Sequence, residues 1–138
     1  MRSRSYGISR APRSTCSRMS DLDFHRGDIL WIDCDPAVGV EPRKIRTCVV
    51  VSNDLANRYG QALTVVPTQK YTAERAQRVY VVDLRAPRSS LKEKRVANAS
   101  MVMTYDRARV RKRAGRVTPD TQRAIDRALA LHLGLTEP

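Results

Sequence analysis

The stretch Arg26–Gln69 reads RGDILWIDCDPAVGVEPRKIRTCVVVSNDLANRYGQALTVVPTQ, and how it divides decides the fold. Asp28–Asp33, Thr47–Ser52 and Ala62–Pro67 are short apolar runs with the β-branched content of strands. Between the second and third runs, Asn53 is suited to cap a short helical turn over Asp54–Arg58 that Gly60 ends. Between the first and second lies a polar loop, Asp35–Arg46, which delivers Glu41, Arg43, Lys44 and Arg46 to the foot of a buried strand. Further on, Arg78–Leu84 reads as a fourth strand and Arg85–Glu93 as a polar loop. Arg95–Thr104 reads as a longer fifth strand and Arg113–Val117 as a short sixth. The period then changes. Thr118 is an N-cap, Pro119 fits the first helical position, and Ile125, Leu129 and Leu133 fall on one face before Gly134 stops the helix. Several short strands and one terminal helix suggest a mainly β, partly closed barrel with the helix laid against the sheet.

The chain has 138 residues, the length of one domain. Residues 1–20 carry five arginines and no acid, so the segment 1–23 reads as a basic, disordered arm before a domain over 24–135. Without those arginines the balance is 21 Lys+Arg against 14 Asp+Glu, so the basic character belongs to the domain as well. A net charge of +12 favours a polyanionic partner, nucleic acid before membrane, because the bases are not gathered on one amphipathic helix. Scarce aromatics, with one Trp and one Phe, argue against a sheet that stacks bases on several rings. Cys16, Cys34 and Cys48 show no paired spacing and there are two His, so neither a zinc site nor another cofactor is expected. Those cysteines fit a reducing, cytoplasmic compartment, and no apolar run reaches membrane-spanning length.

One constellation carries chemistry. Arg46, Glu41 and Thr68 bring a guanidinium, a carboxylate and a hydroxyl to strand ends, enough to hold a phosphate. The bland alternative is a Glu41–Arg46 surface ion pair and a turn-forming Thr68 after Pro67. Around them, Arg43, Lys44, Gln69, Lys70 and Arg58 are candidates to bind a polyanion. Neither His25 nor His132 is placed for acid–base work.

Four pieces in order give the chain a resemblance to the MazF/PemK-like toxins of type II toxin–antitoxin systems, over about Phe24–Leu135. They are Arg26–Asp33 with Asp35-Pro36; Gly39-Val40-Glu41 with Arg46 leading into Cys48–Ser52; Asn53-Asp54 and Asn57-Arg58 leading to Val65-Val66-Pro67-Thr68; and Ala128-Leu129 with Leu133-Gly134-Leu135. The resemblance implies an SH3-like barrel of the CcdB/MazF type, with about five to seven strands and a C-terminal helix. It implies a homodimer, a cognate acidic antitoxin, and metal-independent, sequence-specific cleavage of single-stranded RNA (mRNA first, tRNA or rRNA as further candidates). Arg46 and Thr68 match the family's catalytic pair, and Glu41 its glutamate. The chain departs from the pattern where Thr47 follows the arginine, where Thr68 directly follows Pro67, one residue early, and where Met101-Val102-Met103 replaces Gln-x-Arg. Those departures keep two non-catalytic readings in play: a gyrase-directed toxin on the same barrel, or an SH3-like RNA-binding module.

Overall fold

A computed structural model describes residues 23–85, 88–89 and 91–137. The basic arm, apart from Asp23, lies outside the described residues. The strands are β1 (Asp28–Asp33), β2 (Ile45–Val50), β3 (Ala62–Lys70), β4 (Val81–Asp83), β5 (Arg88–Ser89), β6 (Arg95–Asn98), β7 (Met103–Asp106) and β8 (Val110–Arg116). Helix α1 (Asp54–Tyr59) joins β2 to β3, α2 (Ala73–Ala76) joins β3 to β4, and α3 (Pro119–His132) closes the chain. The strand order is β4-β6-β3-β2-β1-β8-β5, with β7 also paired to β3. The order ends on β4 and β5 without closing, so the barrel is partial, and every described pairing is antiparallel.

The middles of the central strands are apolar on both faces because both faces are buried there. Leu30, Ile32, Cys48, Val50, Leu63 and Val65 point into one cluster with Phe24, Tyr105 and Val110. Their neighbours Ile29, Val49 and Val66 point into a second, closed by Leu84, Ala97 and Ile125 of α3. This alternation by twos is the pleat read directly from core membership. Trp31 falls on the second face and is only partly buried there.

The expected fifth strand is two strands. At Asn98 the ladder breaks into a short 3-10 turn, Ala99–Met101, capped by the Asn98 side chain. Before the break, β6 pairs with the far half of β3, Thr68↔Ala97 through Lys70↔Arg95. After it, β7 pairs with the near half, Ala62↔Asp106 through Val65↔Met103. Strand β3 therefore runs nine residues, past Pro67, and serves both pairings. The fourth strand begins at Val81 rather than Arg78, because α2 and its exit occupy the chain before it.

Helix α1 is capped by Asn53, whose Oδ1 accepts from the Ala56 amide at 2.8 Å. It ends at Gly60 through close approach, not a left-handed turn: φ is −86°, and a Cβ there would lie 2.7 Å from the Ala56 carbonyl oxygen. Buried Arg107 ties the helix down by donating to the carbonyls of Asn57 (2.6 Å) and Gly60 (3.1 Å). In α3, Thr118 caps as expected, accepting from Thr121 N at 3.2 Å, and Ile125 and Ala128 are buried. Leu133, expected on the same apolar face, instead ends the helix and stands exposed before Gly134 turns the chain at φ +75°.

Candidate active site

At one end of the β2–β3–β6 sheet a cavity of about 270 Å³ opens between the β1–β2 loop and the 3-10 turn. Gly39, Val40, Glu41 and Arg43 line it from the loop, Arg46 from β2, Pro67 and Gln69 from β3, and Asn98 and Met101 from the turn. Pleat parity decides which side chains share it. Cys48 lies across from Pro67, so one step on Thr47 faces Thr68, and a further step on Arg46 faces Gln69. Arg46 and Gln69 thus share the cavity face, and Thr47 and Thr68 share the opposite one.

The hydrogen bonds agree with that count. The Thr68 hydroxyl is fully buried and lies 2.5 Å from the Thr47 hydroxyl. It also lies 3.1 Å from the Thr47 carbonyl, and it accepts from Arg95 Nε at 2.8 Å. Arg95 adds a bond to the Thr68 carbonyl at 3.3 Å. Thr68 borders the cavity, but its hydroxyl is engaged on the far side of the strand. Thr68 and Arg46 both line the cavity, with the Thr68 hydroxyl held by Thr47 and Arg95 in this arrangement.

Arg46 is partly exposed. Its Nε donates to the Arg43 carbonyl at 3.0 Å, which fixes the root of the guanidinium. Among the described residues no carboxylate pairs with it. In particular, Glu41 does not: its Oε1 accepts from the Val38 amide at 2.9 Å and so folds the loop onto itself. Arg43 donates to the Gly39 carbonyl at 3.2 Å and also lines the cavity. The other candidates fall elsewhere. Lys44 is exposed at a left-handed turn (φ 62°), Lys70 pairs with Glu93 at 3.6 Å, and Arg58 sits on α1 over the Tyr59 ring. None of these three lines this cavity.

The charges bear on nearby groups. The Cys34 thiol is lowered to about 7, first by its hydrogen bond with Cys48 and further by the Arg46 charge, against the opposing effect of burial. Cys48 is raised, first by its hydrogen bond with Cys34 and then by burial. Arg95 is lowered, chiefly by burial and then by the nearby cations Arg46 and Arg75, while Glu93 works the other way. Among the described residues no group of three His, Cys, Asp or Glu gathers to hold a metal ion, and no helix is long and apolar enough to cross a membrane.

Sequence reasoning missed Asn98, Thr47 and Arg95. Asn98 was visible as a lone amide in the expected fifth strand, with nothing in the sequence to mark it as part of a cavity wall. Thr47 and Arg95 become meaningful only once strand register is known.

A partly open β-barrel with an arginine beside a strand-end cavity is the arrangement against which known proteins compare. The chain belongs to the PemK-like, MazF-like toxins of type II toxin–antitoxin systems, whose family model matches residues 25–133. It is 38% identical over 119 residues to endoribonuclease MazF9 of Mycobacterium tuberculosis, covering 81% of this chain and 98% of that protein. Endoribonuclease EndoA of Bacillus subtilis is 25% identical over 112 residues, with 81% and 96% covered. A mycobacterial endoribonuclease solved in complex with its cognate antitoxin superposes with a TM-score of 0.66 at 26% identity, covering 83% of this chain and 99% of that one. MazF of Deinococcus radiodurans shares the fold with a TM-score of 0.71 at 21% identity, over 83% and 99%.

Proposed function

We propose that this toxin is an endoribonuclease that cleaves single-stranded RNA by attack of the substrate's own 2′-oxygen on the adjacent phosphorus. The new P–O2′ bond forms as the P–O5′ bond breaks, leaving a 2′,3′-cyclic phosphate and a 5′-hydroxyl. The observation that carries the reading is Arg46: a guanidinium anchored through Nε, with no carboxylate partner among the described residues, beside an open cavity in a strongly basic chain. Its remaining donors suit the phosphate oxygens, where negative charge builds as phosphorus becomes five-coordinate. Glu41 lines the same cavity with one oxygen held by Val38 N, and its other oxygen is the candidate to take the 2′-OH proton. The leaving 5′-oxygen collects a proton from solvent.

Thr68 acts as a positioning residue. Its bonds to Thr47 and Arg95 lock β2, β3 and β6 together directly beneath Arg46 and Gln69. Arg43 and Gln69 contact RNA from the cavity wall, and Lys44, Lys70 and Arg58 contribute charge at longer range. The protein works as a homodimer in the cytoplasm and is neutralised by an acidic antitoxin. The antitoxin is supported by a similar structure solved with its cognate antitoxin, and the ribonuclease reading by relatives named as endoribonucleases.

The test is incubation of the protein with single-stranded RNA in EDTA, followed by mapping of the ends. The expected result is cyclic-phosphate and 5′-hydroxyl termini, with Arg46→Ala slower by about 10²–10³-fold. Intact RNA at high enzyme concentration, or normal cleavage by Arg46→Ala, overturns the reading.

A further inference from the structure

Resting on the ribonuclease reading above, we infer that Asn98, with Gln69, reads the edge of one nucleobase beside the scissile phosphate, and so sets part of the cleavage specificity. Asn98 caps the 3-10 turn at the back of the cavity. Its Oδ1 accepts twice from Ser100, from the backbone amide at 3.1 Å and from the hydroxyl at 2.6 Å. An amide bound in this way has its oxygen committed and its orientation fixed, so Nδ2 alone, a pair of donors, is left for a ligand.

The opposite polarity stands on β3. Gln69 shares the cavity face with Arg46, and its Oε1 is shielded from solvent with no hydrogen-bond partner. A buried carbonyl oxygen without a donor costs free energy that a ligand donor would recover. Phosphate oxygens accept and cannot supply that donor. A nucleobase edge carries both an acceptor and a donor, and it matches the Asn98 amide on one wall and the Gln69 amide, with its unmet need for a donor, on the other. The apolar flanks of Pro67 and Met101 suit the faces of a flat ring. The work divides accordingly: Arg46 takes the phosphate, which carries no sequence information, and the two amides take the base, which does.

Two substitutions separate this role from the cap. Asn98→Ser keeps a capping oxygen and removes the Nδ2 donors without adding charge. Asn98→Asp keeps the capping oxygen and turns the donor end into an acceptor. Each variant, with the wild type, is given a single-stranded RNA pool randomised around the cleaved bond, in EDTA, and the products are sequenced. Binding of 2′-O-methyl oligonucleotides differing at one base is measured in parallel. The expected result is a change of about tenfold in preference at a single position, relaxed by Ser and redirected by Asp, with the other positions unchanged. A uniform loss across all sequences identifies Asn98 as a phosphate contact or as purely structural and overturns the inference, as does an unchanged pattern. If the wild type binds with a base preference that follows Asn98 but cleaves nothing, the base-reading subsite stands and the ribonuclease reading falls.

Discussion

At the scale of single residues, Thr68 and Arg46 differ in what their loss removes. Thr68→Val keeps shape but leaves the Thr47 hydroxyl and Arg95 Nε without their buried partner. The expected cost is about 1–3 kcal/mol, read as a lower denaturation midpoint, with activity falling far less than in Arg46→Ala. A loss of cleavage equal to that of Arg46→Ala at unchanged stability would instead place the hydroxyl at the phosphate. Asp33 supplies a pH signature. Its hydrogen bond from Arg111 Nη2, at 2.7 Å, holds its carboxyl below the usual value. A folded-state value below the unfolded one stabilises fully above the unfolded value near 4 and fades as pH falls through the folded one. Asp33→Asn should therefore flatten the acid limb of the stability curve below about pH 4 and change little at neutral pH, as measured by denaturant midpoints across pH.

At the scale of elements, caps and close approaches carry predictions of their own. Thr118→Ala removes the oxygen that accepts from Thr121 N and should cost about 1 kcal/mol in thermal melts. The three central strands and α3 were legible in sequence because apolar runs bounded by turn residues, and a capped amphipathic run, have one sensible reading. The break at Ala99–Met101 was not legible: RVANASMVMT has a β-compatible composition along its whole length, with no Gly or Pro to mark a stop, and only the way β3 divides its pairing between β6 and β7 tells where one strand ends. The site was half legible for a similar reason. Arg46 and Glu41 follow from position in the chain. Which of Thr68 and Gln69 faces Arg46 depends on the β2–β3 register, and a shift of one residue exchanges the two.

For the whole molecule the governing quantity is charge. With a net charge of +12, binding to single-stranded RNA should weaken steeply with salt, at a slope of roughly 0.7 per phosphate neutralised. Removal of residues 1–20, which carry five arginines, should make that slope shallower in fluorescence-anisotropy titrations while leaving the mapped cleavage pattern unchanged. An altered pattern would give the arm a part in reading sequence. The core and the cavity also draw on separate stretches of chain. Residues 35–44 place no side chain in either hydrophobic cluster, while β1, β2 and β3 fill both. Inheritance can therefore rewrite the rim without repacking the interior, so related genes are free to diverge in which messages they destroy while their products go on folding alike.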